Sequence, residues 1–225
     1  MSSPARIRPP TLQRLRLAPL TRSRRHNGRL IVLACSESKS SELGRIPAYQ
    51  RYDGPLWRTL RAADPEGCKA TVMFLSARFG LGSACDCNIQ HYDARLTVQL
   101  ADRMIAGGVT ATWPGRESRR EGMPRGSHAA YEIASLTEYG ECPFHDVVLV
   151  GGAPYIRVMR AMLAGLSDLG HITKTARIAE INGPIGMMRH ALRAWLDGAG
   201  ECRRGPDDRL QAAEDMFPND SGPSA

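Results

Sequence analysis

Four short apolar runs mark the predicted strands of this chain. Each holds four to six residues and is followed by small residues such as serine, asparagine or glycine, which is typical of a buried strand that ends in a turn. The first run is Leu-Ile-Val-Leu-Ala, and it stops at Cys35 and Ser36. The predicted strands cover residues 30–34, 70–75, 147–150 and 176–181.

Between and after these runs, apolar residues recur at helical spacing. Pro55 suits the first turn of a helix that continues through Trp57 to Arg61. Four further segments show the same periodicity: 96–105, 129–139, 156–166 and 187–195. Strands that alternate with helices favour βαβ units, and nearly continuous apolar strands favour a sheet covered on both sides. We therefore predict a three-layer α/β fold with a mainly parallel sheet of four or more strands and helices on both faces.

The charge of the chain is concentrated at its beginning. The 225 residues carry a net charge of +7, and residues 1–28 contain seven arginines and no acidic residue, so residues 29–225 sum to zero. We expect a disordered basic arm at 1–28, a single α/β domain at 29–198 and a disordered tail at 199–225. The arm is suited to nucleic-acid phosphates, which bind basic segments without sequence preference, or it is a solubilising leader.

Composition excludes several classes of protein. No apolar stretch approaches the ~20 residues of a membrane span, and arginines interrupt every candidate signal-peptide core. The six cysteines show no regular disulfide framework, so we expect reduced cysteines and a cytoplasmic location. The segment 110–126 is polar and glycine-rich, and we expect it to form a long loop.

Metal and cofactor signatures are weak. Cys85, Cys87 and His91 could begin a metal site, but no second Cys/His pair stands at the spacing of structural zinc, and we predict no metal. Neither the dinucleotide fingerprint GxGxxG nor the phosphate loop GxxxxGK[ST] is present. We therefore predict no cofactor.

Polar and flexible residues follow all four predicted strands. The ends of parallel strands meet at one edge of a sheet, where ligands of open α/β sheets bind. Glycines there let backbone N–H groups approach a ligand closely. We therefore expect a pocket at this edge. The four turns are 35–39, 76–82, 151–155 and 182–186.

Three residues at this edge are candidates for catalysis. Cys35 is a possible nucleophile or a small buried residue. Lys39, one of only three lysines in the chain, can bind phosphate or exchange a proton, which arginine effectively cannot do. Asp93 is a general acid or base, or a helix cap. The candidate substrate-binding residues are Ser36, Tyr52, Ser76, Arg78, Tyr92, Gly152, Tyr155 and Gly183.

Taken together, the motifs over residues 29–197 resemble an uncharacterised family of bacterial and phage proteins often named YaaA-type peroxide-stress proteins. The motifs that carry the resemblance are Ala34-Cys35-Ser36-x-x-Lys39, Tyr52-x-Gly54-Pro55-Leu56-Trp57, Leu75-Ser76-Ala77-Arg78-Phe79-Gly80-Leu81 and Tyr92-Asp93, together with Gly152-Ala153-Pro154-Tyr155 and Gly183-Pro184-Ile185-Gly186. Gly54 stands where that family has serine, and Arg78 where it has lysine. The Cys-x3-Lys element is also remotely similar to the core of archaeosine synthase, which modifies a base in tRNA.

The resemblance and the charged arm lead to two functional hypotheses. The first is a cytoplasmic enzyme that modifies or cleaves a nucleobase, nucleotide or nucleic acid at the base, as a transferase or an N-glycosidic hydrolase. In it Arg78 would hold a phosphate or carboxylate. The second is a non-catalytic nucleotide- or DNA-binding protein that uses the arm. Thiol redox chemistry at Cys35 is a weaker third, because no CxxC motif is present. The sequence does not determine an oligomeric state.

Overall fold

The computed structural model describes residues 27–111, 113 and 128–198. Seven strands lie in these residues: β1 (Arg29–Ala34), β2 (Ile46–Pro47), β3 (Thr71–Ser76), β4 (Gly80–Ser83), β5 (Asn88–Ile89), β6 (Phe144–Val150) and β7 (Ile172–Ile181). The α-helices of the same residues are α1 (Ala48–Arg51), α2 (Pro55–Ala63), α3 (Val98–Gly107), α4 (Ala129–Leu136), α5 (Ala153–Asp168) and α6 (Ile185–Asp197).

Five of the strands form one mixed sheet in the order β4-β3-β1-β6-β7. Strands β3, β1, β6 and β7 are parallel, and β4 is antiparallel at the outer edge beside β3. Strands β2 and β5 form a separate small antiparallel pair. The predicted three-layer α/β fold is therefore confirmed.

Alternate residues of β1 face two different hydrophobic cores, as the period of a strand requires. Leu30 and Val32 pack in a core with residues of α3, α4 and α5. Ile31 and Leu33 pack in the other core with residues of α1, α2 and α6. Every residue of β1 is buried, which explains why its sequence is a continuous apolar run and does not alternate.

The strand β4 corrects the sequence analysis, which placed residues 76–82 in a turn. Glycine is unfavourable in most strands, so Gly80-Leu81-Gly82 gives no strand signal. Here glycine is needed for space: a Cβ atom on Gly82 would lie 2.7 Å from Oε2 of Glu132. That carboxylate oxygen accepts a hydrogen bond from the Ser83 N–H at 3.0 Å, which ties α4 to this strand.

The first residues of the domain also differ from the prediction. Asn27 and Gly28, assigned to the basic arm, are bonded to the domain: the Asn27 amide donates to the Lys69 carbonyl at 2.6 Å, and the Gly28 carbonyl accepts from the His145 N–H at 2.9 Å. The rest of the arm (1–26), the tail (199–225) and most of the loop predicted at 110–126 lie outside the described residues.

The cysteines differ from the prediction at one position. Cys68 is disulfide-bonded, so the expectation of a reduced thiol is wrong there. Four cysteines of the described residues are not disulfide-bonded: Cys35, Cys85, Cys87 and Cys142. None of the helices described is long and apolar enough to cross a membrane.

Candidate active site

The strand order places the topological switch point of the sheet at the carboxyl ends of β1 and β6, and we refer to this position as the crevice between β1 and β6. After β1 the chain crosses to β3 on one side, and it later returns to β6 on the other side of β1. The connection after β1 runs through α1 and α2 on one face of the sheet, and the connection after β6 runs through α5 on the opposite face. Ligands of open α/β sheets bind where the two connections diverge in this way.

Cys35 and Tyr155 face each other across this crevice. The Cys35 Sγ atom lies 3.2 Å from the Tyr155 hydroxyl oxygen, although the residues are 120 positions apart. The Cys35 N–H donates to the Leu75 carbonyl at 2.9 Å, and the Trp57 indole N–H donates to the Ala34 carbonyl at 2.9 Å, so the end of β1 is held from both sides. Both members of the Cys35–Tyr155 pair are half-buried.

The Tyr155 hydroxyl keeps its proton in this setting. Burial raises the pKa of Tyr155, and the proximity of Cys35 raises it further. A protonated phenol can donate a hydrogen bond to the adjacent Cys35 sulfur. The pair therefore provides a sulfur nucleophile with a hydrogen-bond donor directly beside it.

Backbone pairing fixes the position of Lys39. The segment around Lys39 runs antiparallel to the segment around Tyr52, with the Asp53 N–H donating to the Ser38 carbonyl at 2.9 Å. The Lys39 ammonium lies 4.4 Å from the centroid of the Tyr92 ring and 3.3 Å from the Glu37 carbonyl oxygen. Within the described residues no carboxylate forms an ion pair with Lys39.

The Tyr92 hydroxyl is held in a cluster of three hydroxyl groups, those of Tyr52, Ser76 and Tyr92, which we call the hydroxyl cluster. The Ser76 Oγ accepts the N–H groups of Arg78 and Phe79 at 3.0 and 3.1 Å and lies 2.7 Å from the Tyr92 hydroxyl. Because both lone pairs of the Ser76 Oγ accept hydrogen bonds, the Ser76 hydroxyl donates a hydrogen bond to the Tyr92 hydroxyl oxygen. The Tyr92 and Tyr52 hydroxyls lie 2.8 Å apart.

Burial gives the hydroxyl cluster a supporting role. Tyr52 and Ser76 are fully buried and Tyr92 is 8% exposed. Burial raises the pKa of both tyrosines, in Tyr92 with a further contribution from its neighbour Tyr52, so the phenols stay protonated. The sequence analysis assigned all three to substrate binding; the structure shows them bonded to one another beneath Lys39.

The other predicted site residues lie on the surface of the same edge. Asp93 and Arg78 are exposed, and within the described residues Asp93 forms no hydrogen bond or ion pair. Gly152 is the N-cap of α5, and Gly183 connects β7 to α6 with a φ of +134°. The Ser36 hydroxyl is engaged in its own turn, donating to the Ser38 carbonyl and accepting the Gly54 N–H.

Two supports of this edge gave no recognisable signal in the sequence. Arg51 is fully buried, and its guanidinium donates to the carbonyls of Ser40, Glu42 and Gly44, which fixes the loop after Lys39. Arg95 forms an exposed ion pair with Glu37, which joins the loop after β1 to the segment before α3. Nothing in the local pattern distinguishes these two arginines from solvent-facing ones.

Neither a metal site among the described residues nor a similar known protein indicates the function. The described residues contain no group of three histidine, cysteine or acidic side chains placed to hold a metal ion. Comparison of the chain with protein-family models, curated proteins and solved structures found no match. The function is therefore argued from the chemistry of the site.

The close contact between Gly54 and Ser36 gives a prediction on stability. A Cβ atom at position 54 would lie 2.6 Å from the Ser36 Cβ, closer than two carbon atoms can approach without displacement. We expect Gly54→Ala to lower the free energy of unfolding by about 1–3 kcal/mol, measured by urea denaturation.

The matched control for this prediction is Gly186→Ala. Gly186 lies in α6, where an added Cβ meets no atom within 4 Å, so alanine should be neutral or slightly stabilising. A Gly54→Ala protein as stable as the wild type would contradict the described contact.

Proposed function

We propose that this protein is an enzyme that modifies or cleaves a nucleobase, nucleotide or nucleic acid at the base. The observation that carries the proposal is the Cys35–Tyr155 pair in the crevice between β1 and β6, with the Lys39 ammonium at the same edge. A nucleophile, a hydrogen-bond donor and a cation at one edge of a sheet are the groups that such a reaction uses.

The reaction class follows from what these groups can do. Hydrolysis of an N-glycosidic bond joins a water oxygen to the C1′ carbon of the sugar and leaves the bonding electron pair on the base nitrogen, which must then gain a proton. Lys39 can supply a proton and remain neutral until water restores it, whereas arginine effectively cannot. A base-modifying transferase would use the same groups: the Cys35 sulfur would add to the carbon of a C=N bond of the base, and the displaced electron pair would take a proton from Lys39 at the nitrogen. Elimination of the sulfur would then break the C–S bond, re-form the C=N bond and return the proton to Lys39, while Tyr155 would donate a hydrogen bond to the released sulfur.

The nucleic-acid part of the proposal is supported by charge and by the family resemblance. The seven arginines of residues 1–28 provide the whole net charge of the chain. Arg78 and Arg95 are exposed at the carboxyl edge, where they can contact phosphates. A cytoplasmic location is part of this proposal and is supported by the four cysteines that are not disulfide-bonded, whereas the disulfide at Cys68 does not support it.

The second candidate function is binding without catalysis, and the basic arm is the observation that favours it. We expect replacement of the seven arginines by glutamine, in the full chain, to weaken binding to both single- and double-stranded oligonucleotides. The slope of log K against log salt should fall in magnitude by about 0.7–0.9 for each phosphate that the arm no longer neutralises. Fluorescence anisotropy over a salt series measures both quantities.

The binding measurement, together with an assay of turnover, separates the two functions. Binding that the arm variant retains in full would contradict a role for the arm. Lys39→Met is the comparison variant: under the enzyme hypothesis it loses turnover and keeps the salt-dependent binding that the arm provides. If neither variant changes any activity or affinity, the proposed function is wrong.

A further inference from the structure

Leu43 is the most exposed large apolar side chain of the described residues, at 94% exposure. Single exposed apolar residues are common on protein surfaces, so exposure alone indicates no function. Leu43 differs because the segment that carries it, residues 40–44, is held from inside the protein. We call this segment the Leu43 loop.

A buried arginine holds the Leu43 loop in place. Arg51 is fully buried. Its guanidinium donates hydrogen bonds to the carbonyls of Ser40, Glu42 and Gly44 at 2.8, 2.8 and 2.6 Å. Burying a guanidinium is unfavourable unless its donors are bonded, so the loop keeps these carbonyls turned inward. Leu43 lies between two of the bonded carbonyls and is therefore held in solvent.

Two further hydrogen bonds fix the first half of the Leu43 loop. The Ser40 N–H donates to the Arg51 carbonyl at 2.8 Å, which returns the bond that Ser40 accepts from the guanidinium. The Glu42 N–H donates to the Ser40 Oγ at 3.2 Å. The protein thus uses a buried cation and a hydroxyl to present one leucine side chain to solvent.

The Leu43 loop adjoins the proposed active site. It begins directly after Lys39, and because Leu43 follows four residues after Lys39, their Cα atoms are at most about 14 Å apart. A leucine side chain neither donates nor accepts hydrogen bonds. Its contribution to a nucleic-acid substrate is therefore apolar contact with bases, since phosphates and base edges require polar groups.

An enzyme that acts on a base within a duplex has to take that base out of the stack. Proteins that open a base stack often insert an apolar side chain, leucine among them, between the base steps. We propose that Leu43 is such a wedge, and that the substrate is a base-paired duplex whose target base is extruded toward Lys39. This inference rests on the proposed base-directed function and adds the class of substrate to it.

A duplex that already contains a gap in its stack is the probe for the wedge. The full-length protein is titrated with two fluorescein-labelled duplexes that are identical except for one tetrahydrofuran abasic site, in DNA and in RNA versions. Fluorescence anisotropy gives the dissociation constants. Because the basic arm binds phosphates irrespective of the bases, it contributes equally to both duplexes, and the ratio of the two constants isolates the wedge.

The wild type should bind the abasic duplex about tenfold more tightly than the paired duplex, because Leu43 enters the gap without the cost of unstacking a base. Leu43→Ala should abolish this preference and leave the affinity for the paired duplex unchanged. The exposed position of the side chain makes a loss of folding in this variant unexpected. Leu43→Met keeps an apolar side chain of similar length and should keep the preference.

The matched control is Leu169→Ala, which makes the same change at another exposed leucine. Leu169 is the C-cap of α5 and precedes β7, so it lies at the amino edge of the sheet, away from the Leu43 loop. This variant should bind both duplexes as the wild type does.

The wedge is overturned if the wild type binds the abasic and the paired duplex equally in both the DNA and the RNA series. It is also overturned if Leu43→Ala keeps the preference or if Leu169→Ala loses it. A Leu43-dependent preference in either series supports the wedge and identifies the kind of duplex that it enters.

The wedge and the proposed reaction can fail separately, because these dissociation constants do not depend on turnover. Equal affinities together with a reaction that Lys39→Met abolishes would refute the wedge alone. A Leu43-dependent preference together with unchanged turnover in Lys39→Met would support the wedge and refute the catalytic role of Lys39.

Discussion

Replacing Asp146 with asparagine will lower the free energy of unfolding by about 3–5 kcal/mol, the range for breaking a buried ion pair. The Asp146 carboxylate lies 2.8 Å from Arg29 Nε and also accepts from Arg177 at 2.8 and 3.0 Å. Arg29 is itself buried, and its guanidinium lies 3.6 Å from the centroid of the Trp195 ring. The variant would therefore leave a buried cation without its counter-charge.

Urea denaturation at neutral pH measures this loss, with Glu180→Gln as the matched control. Glu180 also pairs with an arginine, Arg160, but on the exposed surface of the domain, where an ion pair contributes roughly 0–1 kcal/mol. A loss for Asp146→Asn no larger than that of the control would contradict the buried pair.

The Asp146 carboxylate should also determine how the free energy of unfolding falls at acid pH. Burial tends to raise the pKa of Asp146, but the hydrogen bonds from Arg177 and Arg29 outweigh it and hold the pKa below its ordinary value of 3.8. A group with a lowered folded pKa stabilises the fold above the unfolded value, and this contribution is lost as the pH falls through the folded value. The asparagine variant should show a shallower loss of stability below about pH 4, because it lacks this group.

Replacing Lys39 with methionine will lower kcat by about 10²–10⁴-fold, the range for loss of a proton-transferring group. The aliphatic stem is kept, and the charge removed has no carboxylate partner among the described residues, so the free energy of unfolding should change little. Lys174→Met is the matched control, because Lys174 is exposed on β7 at the far edge of the sheet.

Steady-state kinetics and urea denaturation of both lysine variants complete this test. An unchanged kcat in Lys39→Met would remove Lys39 from the chemistry. A large loss of stability in the same variant would instead assign the lysine a structural role above the Tyr92 ring.

The sequence predicts the central strands well because burial on both faces leaves an uninterrupted apolar run. The run at 30–34 corresponds to β1, and the run at 147–150 to the last part of β6. The strands that it missed, β2, β4 and β5, are short or rich in glycine, and β4 also depends on a contact with α4 that local residues do not encode.

The sequence predicts that the candidate site residues follow the ends of strands, but it does not predict which of them come into contact. Cys35 and Tyr155 each follow a strand, yet their contact depends on β6 lying beside β1, and strand order has no local signal. The sequence predicts that Tyr52 and Ser76 bind substrate. Both residues are buried, and their hydroxyl groups form hydrogen bonds with other groups of the protein. Buried Arg51 was missed because a single arginine ordinarily indicates a solvated surface.

The measurement that tests the central claim most directly is mass spectrometry of nucleosides from DNA and RNA of cells that produce the full-length protein. Three cultures are compared: wild type, Lys39→Met and no protein. We predict that one nucleoside is altered or depleted with the wild type alone, and that Lys39→Met matches cells without the protein. Identical profiles in all three cultures, or an altered nucleoside that persists in Lys39→Met, would contradict a base-directed active site at the carboxyl edge of the sheet.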